Sequence, residues 1–131
     1  MTFPRRRSIE IKGVGHGSAP IPMGARVGAV VHSSGIPGTD ASTGEIPTDP
    51  RAQVRHVFRN LDSFLAEADV THDDVVRLTV LLVTEELRDA VNEEWLVRFP
   101  EPSSRPARHT TIGPLRAGML VQLEVIAVAA E

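Results

Sequence analysis

The sequence predicts an α+β protein built as a two-layer mixed β-sheet with two helices on one face. Three observations support this prediction. Alternating or β-branched apolar segments lie near both ends of the chain, two segments with helical spacing lie between them, and a further β-branched segment separates the two helices. The 131 residues, 41% hydrophobic and 24% charged, have the size and composition of one globular domain.

The first part of the chain is predicted to supply two strands. Residues 8–12 alternate in polarity and form a short strand, whereas glycine and proline recur through residues 13–24 and predict a loop. Residues 27–34 form the second strand, which Gly35 and Pro37 end. Residues 38–44 then form a turn.

The first helix is predicted to begin after Asp49. Asp49 is a favourable N-cap residue, and Pro50 suits the first helical position because its fixed φ is already helical. An apolar stripe with spacings of three and four residues follows and is expected to face the core. Its members are Val54, Val57, Phe58, Leu61, Phe64, Leu65 and Ala68.

The second part of the chain adds one helix and three strands. Residues 75–83 are apolar and branched, as expected of a central strand, and Thr84 can cap a helix that carries Glu85 and Glu86 in its first turn. Pro100 ends this helix, whose buried side is lined by Leu87, Val91, Trp95 and Phe99. Strands are predicted over residues 107–112 and 119–129, which gives the order ββαβαββ.

The last predicted strand carries apolar residues on both of its faces. Leu120, Ile126 and Val128 accompany Gln122 and Glu124 on one face, and the other face is apolar throughout, with Met119, Val121, Leu123 and Val125. Two helices can cover only one face of the sheet, so a single copy would expose a large apolar patch. We therefore expect a closed homo-oligomer.

Composition excludes several classes of protein. The chain has no cysteine, which rules out disulfides, a thiolate nucleophile and a cysteine-ligated zinc. Its net charge of −3 argues against nucleic acid as a partner, and no run approaches the roughly 18 apolar residues of a membrane-spanning helix. Arg5, Arg6 and Arg7 are interpreted as part of a solvated, flexible terminus over residues 1–7; no signal-peptide core follows them, so we expect a cytoplasmic protein.

An arginine and a glutamate stand out in the last third of the chain. Arg108 and Glu124 are expected on two neighbouring apolar strands, where a charged group is costly unless it is paired, hydrogen-bonded or used in function. One interpretation is a structural ion pair, formed between them or with a neighbouring copy. The other is a functional site, and the residue pattern alone leaves both open.

Four motifs of the chain resemble those of the RidA (YjgF-like) reactive-intermediate deaminase family. In order over residues 8–130, they are Val27-Gly28 with Ser33-Ser34-Gly35, then Val91-Asn92-Glu93, Pro106-Ala107-Arg108 and Leu123-Glu124-Val125-Ile126-Ala127-Val128. The resemblance implies one RidA-like domain over residues 1–131, a chorismate-mutase-like fold, and a homotrimer whose sheets form a central barrel. It also implies hydrolysis of enamines and imines such as 2-aminoacrylate to 2-keto acids and ammonia, in clefts between subunits and without a metal or organic cofactor.

The resemblance assigns roles to individual residues. Arg108 stands at the position of the family's substrate-binding arginine, and a guanidinium can hold a carboxylate through two parallel hydrogen bonds. Glu124 stands at the position of the water-positioning glutamate. Ser34 and Gly35 match the strand end that lines the pocket, Asn92 matches an asparagine of the second helix, and Thr110 follows the arginine where many members have cysteine.

Two positions depart from the family pattern. Ile21 occupies the position of a tyrosine that usually enters the cleft, and Ile36 stands where a glutamine often follows the glycine. Both changes are expected to make one wall of the pocket more apolar and to favour a different or bulkier imine.

Other functions and sites remain open at this stage. One alternative is a non-catalytic trimer that binds a small carboxylate, and another is an endoribonuclease or translation inhibitor, which the acidic balance disfavours. His16 and His109 could each reach the cleft, but His109 should point away from Arg108 on a strand, and a non-functional role is favoured for both. The remaining histidines lack metal-ligand spacing, and the glycine-rich residues 13–17 lack the features of a phosphate-binding loop.

Overall fold

A computed structural model describes residues 4–130, which form a seven-stranded mixed β-sheet covered on one face by two α-helices. This confirms the predicted α+β class. The strands and helices, in chain order, are β1 Arg6–Ile9, β2 Gly24–Val27, β3 Val30–Ser33, β4 Ile36–Pro37, α1 Pro50–Glu67, β5 Val75–Leu82, α2 Arg88–Arg98, β6 Ala107–Ile112 and β7 Val121–Val128.

The strands before α1 differ from the predicted pair. β1 begins two residues earlier than expected, so Arg6 and Arg7 lie in the sheet rather than in a flexible terminus; residues 1–3 of that predicted terminus lie outside the described residues. The predicted strand over residues 27–34 is instead a hairpin that begins at Gly24. Gly28, with φ of 57°, allows the tight turn between β2 and β3. A short strand, β4, follows at the place where the sequence predicted only the end of the second strand.

Both helices follow the predicted capping and burial. The carboxylate of Asp49 accepts a hydrogen bond from the backbone N–H of Ala52 at 2.9 Å, and the whole predicted stripe of α1 is buried. Thr84 caps a single 3-10 turn, Glu85–Leu87, which leads into α2, so the α-helix proper begins later than expected. In residues 4–130 no helix has the length and apolarity that crossing a membrane requires.

The strand order is β1-β2-β3-β7-β5-β6, with β4 pairing beside β3 along β7. β5 therefore lies between β6 and β7, parallel to the former and antiparallel to the latter. The expectation that Arg108 and Glu124 lie on neighbouring strands is wrong. The physical reason is the crossover through α2, which returns the chain to the outer side of β5 and makes β6 an edge strand.

The helices cover one face of the sheet and leave the other uncovered, as expected from the pattern of the last strand. Along β7 the residues Val121, Leu123, Val125 and Ala127 are buried under the helices, and β5 adds Leu78, Val80 and Leu82 to the same core. The opposite face, called here the open face, has no helix over it. Val30 and Val128 pair with each other there and remain 53% and 45% exposed.

Candidate functional site

The predicted site residues divide into two groups on opposite faces of the sheet. Arg108 pairs with Leu78 of β5, and Glu124 pairs with the next residue, Thr79. Paired residues on neighbouring strands project to the same face and consecutive residues to opposite faces. Arg108 therefore lies on the helix-covered face and Glu124 on the open face, so a single copy does not bring them together as an ion pair or as a site.

Arg108 is a half-buried cation that lacks a counter-ion in residues 4–130. Its guanidinium lies over the ring of Trp95 on α2, 5.2 Å from the ring centroid, and its Nε donates a hydrogen bond to Oγ1 of Thr110 at 3.2 Å. Burial first, and the nearby charge of Arg88 second, hold the pKa of Arg108 below its ordinary value. An anion bound at this position would compensate the partly buried positive charge, because a nearby opposite charge favours the ionised form.

The α2 side of this edge carries the predicted Asn92. Asn92 is half-buried and lies four residues after Arg88 and three before Trp95, so all three share one side of the helix. Arg88 is already paired, because it donates to both carboxylate oxygens of Glu85 at 3.2 and 3.1 Å. Arg108, Thr110, Trp95 and Asn92 together form what we call the arginine edge.

A cavity of about 430 Å³ opens on another part of the molecule and contains three other predicted residues. Ile21, Ser34 and Gly35 line it, whereas Arg108, Thr110, Asn92 and Glu124 do not. Ten further residues complete the wall: Gly15, His16, Gly17, Pro37, Thr39, Ile46, Arg116, Ala117, Met119 and Gln122.

Two buried amides of α1 fix the walls of the cavity. Nε2 of Gln53 donates to the carbonyls of Pro47 and Gly118 at 3.0 and 3.1 Å, and its Oε1 accepts from the N–H of Leu120. Nδ2 of Asn60 donates to the carbonyls of Pro37 and Thr39 at 2.8 and 2.9 Å. Because fully satisfied buried amides hold their partners in one arrangement, α1 positions both loops that face the cavity.

Ser34 and Gly35, at the end of β3, form part of the cavity wall, and Ser33 before them is held against β7. Oγ of Ser33 accepts a hydrogen bond from the N–H of Val125 at 2.8 Å, and Oγ of Ser34 donates to the carbonyl of Pro22 at 2.8 Å. The Gln122 side chain packs directly on Gly35, where a Cβ atom would lie 2.6 Å from its Cδ. Glycine is therefore required at position 35 for Gln122 to occupy this place.

His16 contributes to the cavity although the sequence favoured a non-functional role for it. Its Nε2 lies 2.8 Å from the carbonyl oxygen of Gly35, and its Nδ1 lies 3.3 Å from that of Ile21. The imidazole thus ties the glycine-rich loop to the cavity wall. The signal available in the sequence was the position of His16 five residues before Ile21, on a loop that could fold over a strand end.

Gln122 and Arg116 were not predicted as site residues. Gln122 reaches the cavity because β4 pairs with β7 in the register that places Pro37 opposite it. Glu124 lies two residues further along the same face, about 7 Å away along the strand, and its carboxylate makes no hydrogen bond within residues 4–130. The carboxylate is therefore beside the cavity rather than in its wall.

The two departures from the family pattern have different consequences. Ile21 is 49% exposed and forms part of the cavity wall, as expected. Ile36 pairs with Leu123 and is fully buried under the helices, so it does not make the pocket more apolar. His109 pairs with Thr79 on the open face, which confirms that it points away from Arg108. Among the described residues no three His, Asp or Glu side chains are grouped to hold a metal ion.

Comparisons with known proteins agree with this architecture. The model of the family described as Endoribonuclease L-PSP matches residues 19–129. A RutC family protein of Aquifex aeolicus is 30% identical over 119 residues, which cover 84% of this chain and 93% of that protein. The 2-iminobutanoate/2-iminopropanoate deaminase of Escherichia coli strain K12 is 29% identical over 113 residues, covering 83% and 87%. The solved structure of the Rid family protein YyfA from Yersinia pestis has a TM-score of 0.84 and 28% identity, covering 95% of this chain and 99% of that one.

Proposed function

The chain belongs to the Endoribonuclease L-PSP family of YjgF, RutC and RidA proteins, and on this premise we propose that it is a hydrolytic deaminase of reactive imino acids. The reaction converts an imine or enamine such as 2-aminoacrylate to a 2-keto acid and ammonia. The single observation that carries the proposal is the half-buried guanidinium of Arg108, which has no carboxylate partner within residues 4–130.

Arg108 is proposed to bind the substrate carboxylate. Its Nε is directed to Thr110 and its guanidinium lies over Trp95, so the N–H groups of Nη1 and Nη2 are left for a ligand. A bidentate pair with a carboxylate is short, charge-assisted and geometrically specific. Asn92, on the same side of α2 as Trp95, is available to donate a further hydrogen bond to the bound acid.

The complete site is proposed to form between two copies of the chain in a homotrimer. None of the residues of the arginine edge lines the cavity of the same copy, so joining the two requires a second copy. The open face supplies the surface for assembly, because Val30, Ile126 and Val128 would otherwise face water. Packing of three such faces around a central barrel would set the arginine edge of one subunit against the cavity of the next.

The proposed chemistry needs a positioned water and no nucleophilic side chain. The water oxygen forms a bond to the imine carbon and loses a proton while the nitrogen gains one, which gives a carbinolamine. The hydroxyl then loses its proton and the C=O bond forms as the C–N bond breaks, and the nitrogen, protonated again, leaves as ammonia. An enamine first gains a proton at its terminal carbon to become the iminium ion, and loss of a proton from the nitrogen gives the imine. Because these substrates hydrolyse by themselves, holding the reactants in the right geometry accounts for the acceleration.

Glu124 is proposed to position this water and accept its proton, with help from Gln122. The Gln122 amide in the cavity wall can hold a water by hydrogen bonds but cannot take up a proton, whereas a carboxylate can. Glu124 lies on the same face and has no partner among the described residues, so its side chain is available to turn toward the cavity.

A second candidate is a trimer that binds a small carboxylate without chemistry. The observation that favours it is the cavity wall itself, where Ile21 and Gln122 provide no ionisable group beside the strand end. This candidate shares Arg108 as the anion-binding residue. It differs from the first in predicting binding of a 2-keto acid with no acceleration of imine hydrolysis.

The experiment that tests the proposal measures keto-acid release from imines generated in situ by an amino acid oxidase. Wild-type protein is expected to accelerate release over buffer, and Arg108→Ala to lose kcat/KM by roughly tenfold to a hundredfold. Arg55→Ala, an exposed arginine of α1, is the matched control and should behave as wild type. A folded wild-type protein that accelerates no imine but binds 2-keto acids would replace the deaminase with the binding protein. Cleavage of RNA under the same conditions would support an endoribonuclease instead.

A further inference from the structure

The lining of the cavity carries a positive charge that a binding site for a small, singly charged imino acid does not require. Of its thirteen lining residues, Arg116 is cationic and none is acidic. The chain as a whole carries a net charge of −3. A positive lining inside an acidic protein raises the local concentration of anions and lowers that of cations.

Arg116 is the cation in the cavity that is free to bind a ligand. Both ring nitrogens of His16 lie against backbone carbonyl oxygens, those of Gly35 and Ile21, so whichever nitrogen carries the proton is directed at the protein. The Arg116 side chain makes no hydrogen bond or ion pair with residues 4–130, and its five N–H donors are available.

The size and lining of the cavity indicate which kind of group would lie next to an anion held by Arg116. About 430 Å³ is far more than a three- or four-carbon imino acid fills, and it falls within the range of pockets that enclose larger ligands. Ile21, Ile46 and Met119 supply an apolar stretch of wall suited to methylene groups. A ligand that matches this wall has a short aliphatic chain with an anion at its far end.

We propose that the cavity binds the side chain of an imino acid that carries a second anionic group, held by Arg116. This inference takes the imino acid as the ligand, as proposed above, with its α-carboxylate on Arg108 of a neighbouring copy. The substrate class is then the imines of dicarboxylic amino acids with about four to six carbons, which fit between an anion site at each end.

Binding of stable keto acids tests the inference without relying on catalysis. Isothermal titration calorimetry would compare 2-oxoglutarate with 2-oxopentanoate, which has the same chain length but no second carboxylate. Wild type is expected to bind 2-oxoglutarate at least about tenfold more tightly. Arg116→Ala should remove that preference by weakening 2-oxoglutarate binding far more than 2-oxopentanoate binding. Arg116→Lys should keep part of the preference, and Arg55→Ala should keep all of it.

Four outcomes separate this inference from the proposed function. Equal binding of both keto acids by wild type, or an equal loss of both in Arg116→Ala, would overturn the second anion site; the latter would place the α-carboxylate on Arg116. The remaining outcomes come from measuring the hydrolysis of the imines made from norvaline and from glutamate. Acceleration of both without preference would keep the deaminase and overturn the inference. A binding preference for 2-oxoglutarate with no acceleration of either imine would support the anion site and overturn the deaminase.

Discussion

Substitution of Gly35 by alanine tests whether the placement of Gln122 matters for catalysis. A Cβ atom at this position would lie 2.6, 2.8 and 2.9 Å from Cδ, Nε2 and Oε1 of Gln122. Carbon atoms in contact prefer separations of about 3.5 Å or more, so the amide must move by about 1 Å. The backbone is not strained by the change, because Gly35 has no positive φ.

The expected effect on activity is large and that on stability is small. The group that moves is the end of a flexible, half-buried side chain, so we expect a loss of less than about 1 kcal/mol in the free energy of unfolding. A displacement of about 1 Å in a positioned group can lower a rate by as much as a hundredfold. We therefore expect kcat for imine hydrolysis to fall by roughly tenfold to a hundredfold, with a smaller change in KM.

The assay is keto-acid release, paired with urea unfolding followed by circular dichroism. Gly15→Ala is the matched control, because Gly15 lines the same cavity and its new Cβ would meet nothing within 4 Å. A double-mutant cycle with Gln122→Ala isolates the contact. In that background Gly35→Ala should cost little further activity, since the atoms it displaces are gone. Wild-type kinetics in Gly35→Ala, or additive losses in the double variant, would refute the reasoning.

Three further predictions concern stability, pH and proton transfer. Asp62→Ala should lower the free energy of unfolding by about 2 kcal/mol, because Arg98, whose side chain is 9% exposed, loses two hydrogen bonds to the carboxylate at 2.8 and 2.7 Å. The 39% exposure of the Asp62 side chain limits the effect. Hydrogen bonds from the hydroxyl and then the amide of Ser42 hold the pKa of Asp40 below its ordinary value. Its contribution to stability is thus present above that ordinary pKa and lost as the pH falls through the folded-state pKa, so Asp40→Asn should reduce the loss of stability in acid. Glu124→Gln should lower kcat, because an amide can hold the water but cannot take up its proton.

Each of these predictions has a measurement that can contradict it. Glu93→Ala removes an ion pair with Arg51 whose side chains are 67% and 57% exposed, and it should lower the free energy of unfolding by no more than about 0.5 kcal/mol. If Asp62→Ala causes no larger loss, its contact with Arg98 has no special role in stability. Urea midpoints at neutral and acidic pH must converge for Asp40→Asn and wild type as the pH falls. If Glu124→Gln is unaffected while Gln122→Ala is inactive, the water is positioned by the amide alone.

The parts of the fold that the sequence predicted well are those set by local interactions. α1 begins at Pro50 after the Asp49 cap, as expected, because a cap and an apolar stripe act over a few residues. β6 was predicted at its observed bounds, Ala107–Ile112. The β2–β3 hairpin was missed because Gly28 was taken as part of a continuous strand, although a glycine between two short apolar segments can also make a tight turn.

The parts that the sequence did not predict depend on long-range pairing. The residues around Arg108 and Glu124 do not indicate that β5 separates their strands, because the crossover through α2 decides the strand order. Gln122 and Glu124 occupy the same face of β7 and have equivalent local patterns. Only the pairing of Pro37 with Gln122 decides which of the two reaches the cavity. His16 likewise enters the site through contacts with Ile21 and Gly35 that lie outside its own loop pattern.

The most direct test of the central claim, a carboxylate-anchored imine deaminase whose site is shared by two copies, mixes two inactive variants. Arg108→Ala loses the arginine edge and Gly35→Leu blocks the cavity, and each is first shown to be a folded trimer with little activity of its own. Equal amounts are unfolded in urea and refolded together, so that subunits assort at random. The account predicts recovery of about one quarter of wild-type imine hydrolysis, because that share of interfaces joins an intact edge to an intact cavity. Activity no higher than that of the separately refolded variants would contradict a shared site.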